Sequence, residues 1–278
     1  MSALATLFAS LRANGSRGLV TFVTAGDPTA AASADIVCAL DRAGADVIEI
    51  GVPFSDPVAD GPAIQLASER ALRAGGTLGS TLDLVADVRP RVRAPLVLFT
   101  YVNPVLRMGV DRFIDRAADA GVSGVLLLDL PIEESAGMQA ALDSRGLDQI
   151  FLVSPTTTDA RLATAARLGR GFLYAISRLG VTGTRDAVAE SAEPLVTRIR
   201  QASALPVALG FGISRPEHVA SVSAFADAAV VGSAIVQVIT EAVAAGRPPA
   251  DDVEKFVAWL KHGVGEPHPL TGAAAGTQ

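Results

Sequence analysis

Eight short runs rich in β-branched residues and leucine recur along the chain, and a segment long enough for a helix follows each one. The runs are Leu19–Val23, Val47–Ile50, Leu96–Thr100, Gly124–Leu128, Ile150–Val153, Phe172–Ile176, Val207–Leu209 and Ala228–Val231. Alternating strands and helices are typical of a parallel sheet. Eight such units within 278 residues favour closure into a barrel. We therefore predict an α/β fold, a single-domain (β/α)8 TIM barrel over residues 1–264.

Helix signals add detail to this prediction. Residues 2–13 have the pattern of an extra N-terminal helix ahead of the first strand. A helix over Thr29–Arg42 should end near Gly44, because glycine commonly terminates helices. The stretch from 60 to 95 has room for two helices separated at Gly75-Gly76. The N-terminal helix and the second helix between 60 and 95 would be additions to the eight strand–helix units of the barrel.

Composition excludes several classes of protein. The net charge of −6 and the pI near 5.1 leave no basic face for nucleic acid. Cys38 is the only cysteine, so the chain cannot form an internal disulfide. No apolar run reaches the roughly 18 residues of a membrane helix, and the first residues lack the charge of a signal peptide. We expect a soluble, cytoplasmic protein, with a disordered tail over 265–278.

A carboxylate interrupts the second apolar run. Glu49 stands within Val47–Ile50, a strand expected to be buried on both faces, and Asp60 follows in a Pro/Gly-rich loop. A buried carboxylate must be paired, protonated or directed into a cavity. Structural alternatives exist for both: Glu49 in an ion pair with an arginine across the barrel, and Asp60 as the N-cap of a helix opening near Pro62.

Other polar and aromatic residues follow the ends of further strands. Tyr101 comes just after the third strand, Asp129 ends the fourth, and Tyr174 lies near the end of the sixth. The carboxyl ends of barrel strands form one rim, which carries the chemistry in such folds. Packing is an alternative role for the two tyrosines, and helix capping is one for Asp129.

Three glycine-bearing loops follow the last three strands. They are Gly180-Val181-Thr182-Gly183, Gly210-Phe211-Gly212-Ile213-Ser214 and Gly232-Ser233-Ala234-Ile235. Glycine lets the backbone approach an anion closely, and a helix that starts at Ser233 would offer N–H groups to a phosphate. The pattern predicts a phosphate site, although a single Gly-x-Gly is also typical of a tight turn.

Histidine chemistry has little support. His218 and His262 fall in helical patterns and His268 in the tail, so we expect neither a metal site nor a Ser-His-Asp triad. Arg178 and Arg185 flank the loop after the sixth strand, where they are either solvated charges or part of a lid over a substrate.

The chain resembles the α subunits of tryptophan synthase from about Gly18 to Ile239. The motifs that carry the resemblance are Phe22–Pro28, Glu49–Pro62, Tyr101–Pro104, Asp129–Pro131, Arg178–Gly183, Gly210–Ile213 and Gly232–Val236. The segment Glu49–Pro62 is the most specific of these, whereas the glycine pairs also occur in other phosphate-binding barrels.

This resemblance implies cleavage of indole-3-glycerol phosphate to indole and glyceraldehyde 3-phosphate, with no cofactor in this chain. It implies that Glu49 serves as both acid and base, and that Asp60 stabilises charge at the indole N–H. Burial should move the pKa of Glu49 toward neutrality, and Asp60, nearer water, should remain ionised. Thr182 would bind Asp60 when the lid closes.

The resemblance also implies a substrate site and a partner. The substrate-binding residues would be Phe22, Ile64, Tyr101, Leu127, Asp129, Tyr174, Thr182, Gly183, Phe211, Gly212, Gly232 and Ser233. A β subunit that carries pyridoxal phosphate would receive the indole in an αββα tetramer. The loop from Pro53 to Asp60 and the region of Pro131 would contact it.

Three other functions stay open at this point. A stand-alone indole-3-glycerol-phosphate lyase would release free indole without a partner. A catalytically silent barrel would bind a phosphate ligand and regulate another protein, but Glu49 and Asp60 argue against it. Another phosphate-sugar isomerase or epimerase would explain the glycine loops and leave Glu49–Pro62 unexplained.

Overall fold

The protein folds as a closed barrel of eight parallel strands in sequential order, from β1 to β8. The computed structural model describes residues 1–176, 185–210 and 212–264, with the backbone alone for 185–191. The strands are β1 Gly18–Thr24, β2 Val47–Gly51, β3 Leu96–Thr100, β4 Gly124–Leu127, β5 Asp148–Val153, β6 Leu173–Ile176, β7 Val207–Gly210 and β8 Ala228–Val231. Pairing of β8 with β1 closes the barrel and confirms the predicted fold class.

The described ranges contain twelve α-helices. They are α1 Ala3–Ala13, α2 Ala30–Arg42, α3 Pro62–Arg73, α4 Leu78–Val88, α5 Val102–Met108, α6 Val110–Asp119, α7 Ala136–Asp143, α8 Asp159–Leu168, α9 Arg185–Ala202, α10 Pro216–Ser223, α11 Ser233–Ala244 and α12 Pro249–Lys261. The predicted N-terminal helix and the two helices between 60 and 95 are confirmed. Gly44 ends α2 with φ of 90°, as its sequence position indicated. The predicted tail lies outside the described residues.

Helix α1 closes the N-terminal end of the barrel. Its buried Leu4 and Phe8 join the apolar cluster inside the strands. Phe8 packs on Phe172 with ring centroids 5.5 Å apart. The Ser2 hydroxyl donates to Asp148, the first residue of β5, at 2.5 Å. Side chains of α1 thus fill the barrel interior at this end, and a surface cavity of about 620 Å³ lies outside it, between α1 and the starts of β5, β6 and β7. The cavity that is lined by the strands themselves lies at their carboxyl end.

The helices surround the strands with a second, larger apolar core. Its members include fully buried residues of β2, β3, α2 and α12, among them Ile48, Leu96, Leu40 and Val257. No helix in the described ranges is both long enough and apolar enough to cross a membrane. Cys38 is partly buried against this core.

A buried carboxylate in α2 ties this helix to the start of β3. One Asp41 side-chain oxygen accepts the backbone N–H groups of Arg93 at 2.9 Å and Ala94 at 2.8 Å. Asp41 is 8% exposed. Two buried N–H groups that lose their acceptor lower the free energy of unfolding considerably more than the loss of one surface contact does.

We predict that Asp41→Ala lowers the free energy of unfolding by about 2–4 kcal/mol, because two backbone donors lose their acceptor. Urea unfolding followed by circular dichroism would measure this as a lower midpoint with an unchanged slope. Asp35→Ala is the matched control, since Asp35 is exposed on the same helix. Equal midpoints for the two variants would contradict the assigned role of Asp41.

Candidate active site

Glu49 is a fully buried carboxyl group in the middle of β2. It is 0% exposed and lies beside Phe22 of β1 and Val97 of β3 in the strand register. Neither carboxyl oxygen has a hydrogen-bond partner within the described part of the chain. Burial raises the pKa of Glu49 to about 8. The carboxyl group therefore holds its proton at neutral pH, and the alternative of an ion pair across the barrel finds no support among the described residues.

Asp60 lies in the loop between β2 and α3. Its Oδ2 accepts the phenolic hydroxyl of Tyr101 at 3.2 Å, and the Ala59 N–H donates to the same phenol oxygen at 3.0 Å. Burial raises the pKa of Asp60 to about 6, and the hydrogen bond from Tyr101 partly opposes that rise. Asp60 is thus mostly ionised at neutral pH. The N-cap alternative is wrong, because Gly61 occupies the N-cap of α3 and makes no side-chain cap.

The titration of Tyr174 in β6 is affected by both carboxyl groups. Its pKa is raised well above the usual value by burial, and further by the nearby charges of Glu49 and Asp60. Charges act this way on a phenol only when they lie close to it. Glu49 and Tyr174 belong to strands on opposite sides of the barrel, and Asp60 lies in the loop at the carboxyl end of β2.

A cavity of about 190 Å³ opens at this end of the barrel. Its lining residues are Phe22, Ile64, Phe99, Tyr174, Ile176, Gly210, Gly212, Ile213, Val230, Gly232 and Ser233. The Phe22 and Phe99 rings meet edge to face at 5.2 Å, and Phe99 and Tyr174 lie 6.3 Å apart. One side of the cavity therefore presents aromatic and aliphatic surface suited to a flat apolar ring.

The other side of the cavity is built from backbone. Helix α11 begins at Ser233 with Gly232 as its N-cap, and the first N–H groups of a helix lack partners within it. Gly212 has φ of 81°, and a Cβ placed there would meet no atom within 4 Å. The open backbone and the positive end of the helix dipole suit a phosphate or another anion.

Two glycines leave room for aromatic side chains in the site. A Cβ at Gly51, the last residue of β2, would lie 2.5 Å from the Phe22 ring. A Cβ at Gly210 would lie 2.9 Å from the Tyr174 hydroxyl. Sequence reasoning assigned no role to Gly51, although a glycine that ends a buried strand is a signal of close approach.

Leu127 is placed differently from its predicted role in the substrate pocket. It belongs to the outer core beneath the helices, whereas Leu126 lies in the inner cluster and Leu128 packs against that cluster. Successive strand residues face opposite sides, so a shift of one position exchanges core and cavity. Phe99 was missed, although it stands two residues after Val97 on the same face of β3.

Asp129 does not line the described cavity. Its side chain is exposed, and Oδ1 accepts the Val102 N–H at 2.7 Å. This contact satisfies a donor at the first turn of α5 and ties the β4 loop to the β3 loop. The capping alternative thus describes Asp129 better, although the capped helix is α5 and not the turn after Pro131.

Several sequence predictions fall outside the described residues. These are Thr182, Gly183, Phe211, His268, Arg178 and the side chain of Arg185. His218 accepts the Ser214 N–H at 3.4 Å through Nδ1, and His262 caps the end of α12. Across residues 1–176, 192–210 and 212–264, no cluster of three acidic, histidine or cysteine side chains is arranged to hold a metal ion.

Burial of Glu49 makes stability depend on pH. The folded chain retains this proton up to a pH near 8, whereas the unfolded chain loses it near 4.5, so unfolding releases a proton between these values. The contribution of Glu49 to stability therefore falls as the pH rises from about 4.5 to 8. Glu49→Gln removes the penalty, because a neutral amide replaces the carboxyl group.

We predict that Glu49→Gln is more stable than the wild type by an amount that grows with pH and approaches roughly 5 kcal/mol above pH 8. Urea unfolding at pH 5, 6.5 and 8.5 would measure the difference. Glu134→Gln, at an exposed position, controls for the loss of one negative charge. A stability difference for Glu49→Gln that does not grow with pH would contradict the raised pKa.

The chain is similar to known proteins over nearly its whole length. A family model described as tryptophan synthase alpha chain matches residues 8–264. The tryptophan synthase alpha chain of Geobacter sulfurreducens is 50% identical over 267 residues, which cover 95% of this chain and 100% of that relative.

Solved structures give the same result. The crystal structure of tryptophan synthase subunit alpha from Legionella pneumophila has a TM-score of 0.88 at 34% identity, covering 95% of this chain and 98% of that one. A structure of Mycobacterium tuberculosis tryptophan synthase has a TM-score of 0.85 at 39% identity, with 95% and 98% covered. The chain belongs to the tryptophan synthase alpha chain family.

Proposed function

We propose that this chain cleaves indole-3-glycerol phosphate to indole and glyceraldehyde 3-phosphate, the α reaction of tryptophan synthase. Its family makes it a lyase of tryptophan biosynthesis. The observation that carries the specific reaction is Glu49, a buried carboxyl group with a pKa near 8 and with no hydrogen-bond partner among the described residues. It lies beside Phe22, which lines a cavity with an aromatic side and a helix N-terminus.

Glu49 supplies both proton transfers in this proposal. Its carboxyl group first donates a proton to indole C3, which turns the ring into an electron acceptor. The resulting carboxylate then removes the proton of the hydroxyl on the attached carbon. The carbon–carbon bond breaks, its electron pair returns to the indole ring, and the aldehyde forms. The proton that Glu49 removes in the second step replaces the one that it donates in the first, so its carboxyl group returns to its starting state. A pKa of Glu49 near the working pH lets it serve in both steps.

Asp60 stabilises the charge that develops on the ring nitrogen. Its carboxylate is held by the Tyr101 hydroxyl and carries a negative charge at neutral pH. Phe54 packs on the Tyr101 ring with centroids 4.8 Å apart and restricts its orientation. A fixed carboxylate in a partly desolvated site stabilises a nearby cation more than water does.

The two sides of the cavity suit the two ends of the substrate. The rings of Phe22, Phe99 and Tyr174 with Ile64 present apolar surface to an indole, and the N-terminus of α11 offers N–H groups to a phosphate. Thr182, Gly183 and Phe211 stay predicted substrate contacts, and Leu128 replaces Leu127 as the candidate on the inner face of β4. No cofactor takes part in this chain's own steps.

The partner in this proposal is a tryptophan synthase β subunit, which carries pyridoxal phosphate, in an α2β2 tetramer. The loop after β2 exposes Val58 by 86%, and Pro131 at the end of the β4 loop is also exposed. Both residues belong to the two regions that the resemblance to the family assigns to this contact. A cytoplasmic location stays a prediction.

We predict that the purified chain releases indole slowly from indole-3-glycerol phosphate and that a tryptophan synthase β subunit accelerates this release. Indole formation in single-turnover and steady-state assays, with and without the β subunit, measures both rates. Glu49→Gln should lower the rate by about 10²–10⁴ under either condition. Fast, partner-independent release would indicate a stand-alone lyase, and no release with the partner present would contradict the proposed reaction.

We predict a bell-shaped dependence of kcat/KM on pH. Activity should fall below pH 6 as Asp60 takes up a proton, and above pH 8 as Glu49 loses the proton that it donates. Initial rates between pH 5 and 9.5 would test this. Asp60→Asn should remove the acidic limb and retain the basic one, whereas an unchanged acidic limb in this variant would refute the assignment to Asp60.

A further inference from the structure

Arg70 forms an ion pair with Asp27, and neither residue lines the cavity. Arg70, in the last turn of α3, donates through Nε to Asp27 Oδ1 at 2.7 Å and through Nη2 to Oδ2 at 2.8 Å. Asp27 is 1% exposed and lies in the loop between β1 and α2. Two parallel hydrogen bonds fix both the distance and the angle between the two groups.

The same guanidinium group reaches a third element. Arg70 Nη2 also donates to the Thr240 hydroxyl of α11 at 3.0 Å. That hydroxyl donates in turn to the Val236 carbonyl one turn earlier in the helix, at 2.9 Å. One side chain therefore holds α3, the β1 loop and α11 in a single arrangement.

These three elements each contribute to the proposed site. Helix α3 begins two residues after Asp60 and carries Ile64, and α11 begins at Ser233 on the anion side of the cavity. Phe22, which lines the cavity, forms one buried cluster with Ala67 of α3 and Val236 of α11. A movement of α3 against α11 would therefore change the spacing between the Asp60 side and the anion side.

We propose that Arg70 is a positioning residue that sets this spacing, an inference that rests on the proposed function. Arg70 lies eight residues after Pro62, the first residue of α3, which is about 12 Å along the helix, so Arg70 acts through α3 and not on the substrate. A bound substrate spans both sides of the cavity, and its reacting atoms are aligned only when these sides are held at one distance. Small displacements of the reacting atoms from this alignment lower the reaction rate by large factors.

Only arginine has the geometry for this connection. Its planar group directs separate N–H bonds to two carboxylate oxygens and to the Thr240 hydroxyl, whereas a lysine ammonium offers one charge at one point. Arg70→Lys keeps Asp27 neutralised and avoids an unpaired buried carboxylate, which would cost about 3–5 kcal/mol. The substitution thus alters positioning with little effect on folding.

The control comes from another arginine in the same fold. Arg42 donates through Nε and Nη2 to Glu254, joining α2 to α12 away from the cavity. Its side chain is 54% exposed, against 24% for Arg70. Arg42→Lys makes the same chemical change at an ion pair that holds neither α3 nor α11.

The test compares wild type, Arg70→Lys and Arg42→Lys as full chains with the β subunit. We expect Arg70→Lys to lower kcat for indole-3-glycerol phosphate about tenfold or more. The Kd of glycerol 3-phosphate, which occupies only the anion side, should stay within about twofold, and the Tm should stay near that of wild type. Arg42→Lys should leave all three quantities unchanged.

Thr240→Val provides a second, milder variant. It removes the link to α11, retains the Asp27 pair, and should lower kcat in the same direction with unchanged glycerol 3-phosphate binding. Wild-type kcat in Arg70→Lys would overturn the proposal. So would a loss of kcat that appears only together with a parallel loss of Tm and phosphate affinity. A wild-type complex that does not cleave the substrate would refute the proposed function first, and the positioning role with it.

Discussion

A carboxyl group that is buried and has no hydrogen-bond partner in the described part of the chain is the feature on which the rest of this site depends. At neutral pH Glu49 rests in the barrel interior as the neutral acid, because burial of its charged form costs several kcal/mol. The strand that carries it is held on both sides by β1 and β3. The stability of the barrel thus maintains an acid whose pKa lies near the working pH, and catalysis in the proposed reaction uses this property.

The two ends of the barrel differ for a simple reason of packing. Leu4 and Phe8 of α1 fill the N-terminal end, so the apolar cluster inside the strands is continuous up to the level of Phe99 and Tyr174. At the opposite end, glycines replace bulky side chains, and the space left is the cavity. The same fold therefore separates a stabilising end from an end free for chemistry.

Sequence patterns located much of the site but not the side of each strand that faces it. The barrel, its first helix and the neighbourhood of Glu49, Asp60 and Tyr174 were predictable, because strand order places all carboxyl ends on one rim. Leu127 was assigned to the wrong face of β4 and Phe99 was overlooked, because residues of a strand buried on both faces are all apolar. The hydrogen bond between Asp129 and Val102 was not predictable from the sequence either, because the two residues are 27 positions apart.

By itself, the sequence determined the fold class, the family and the candidate catalytic residues, since these depend on local periodicity and on motifs that are contiguous in the chain. Only the tertiary structure decided which residues face the cavity, how strongly burial raises the pKa of Glu49, and that Arg70 joins α3 to α11. These properties depend on barrel register, on desolvation by distant strands and on contacts between residues 27, 70 and 240. No pattern of neighbouring residues records them, because they arise when separate parts of the chain pack together.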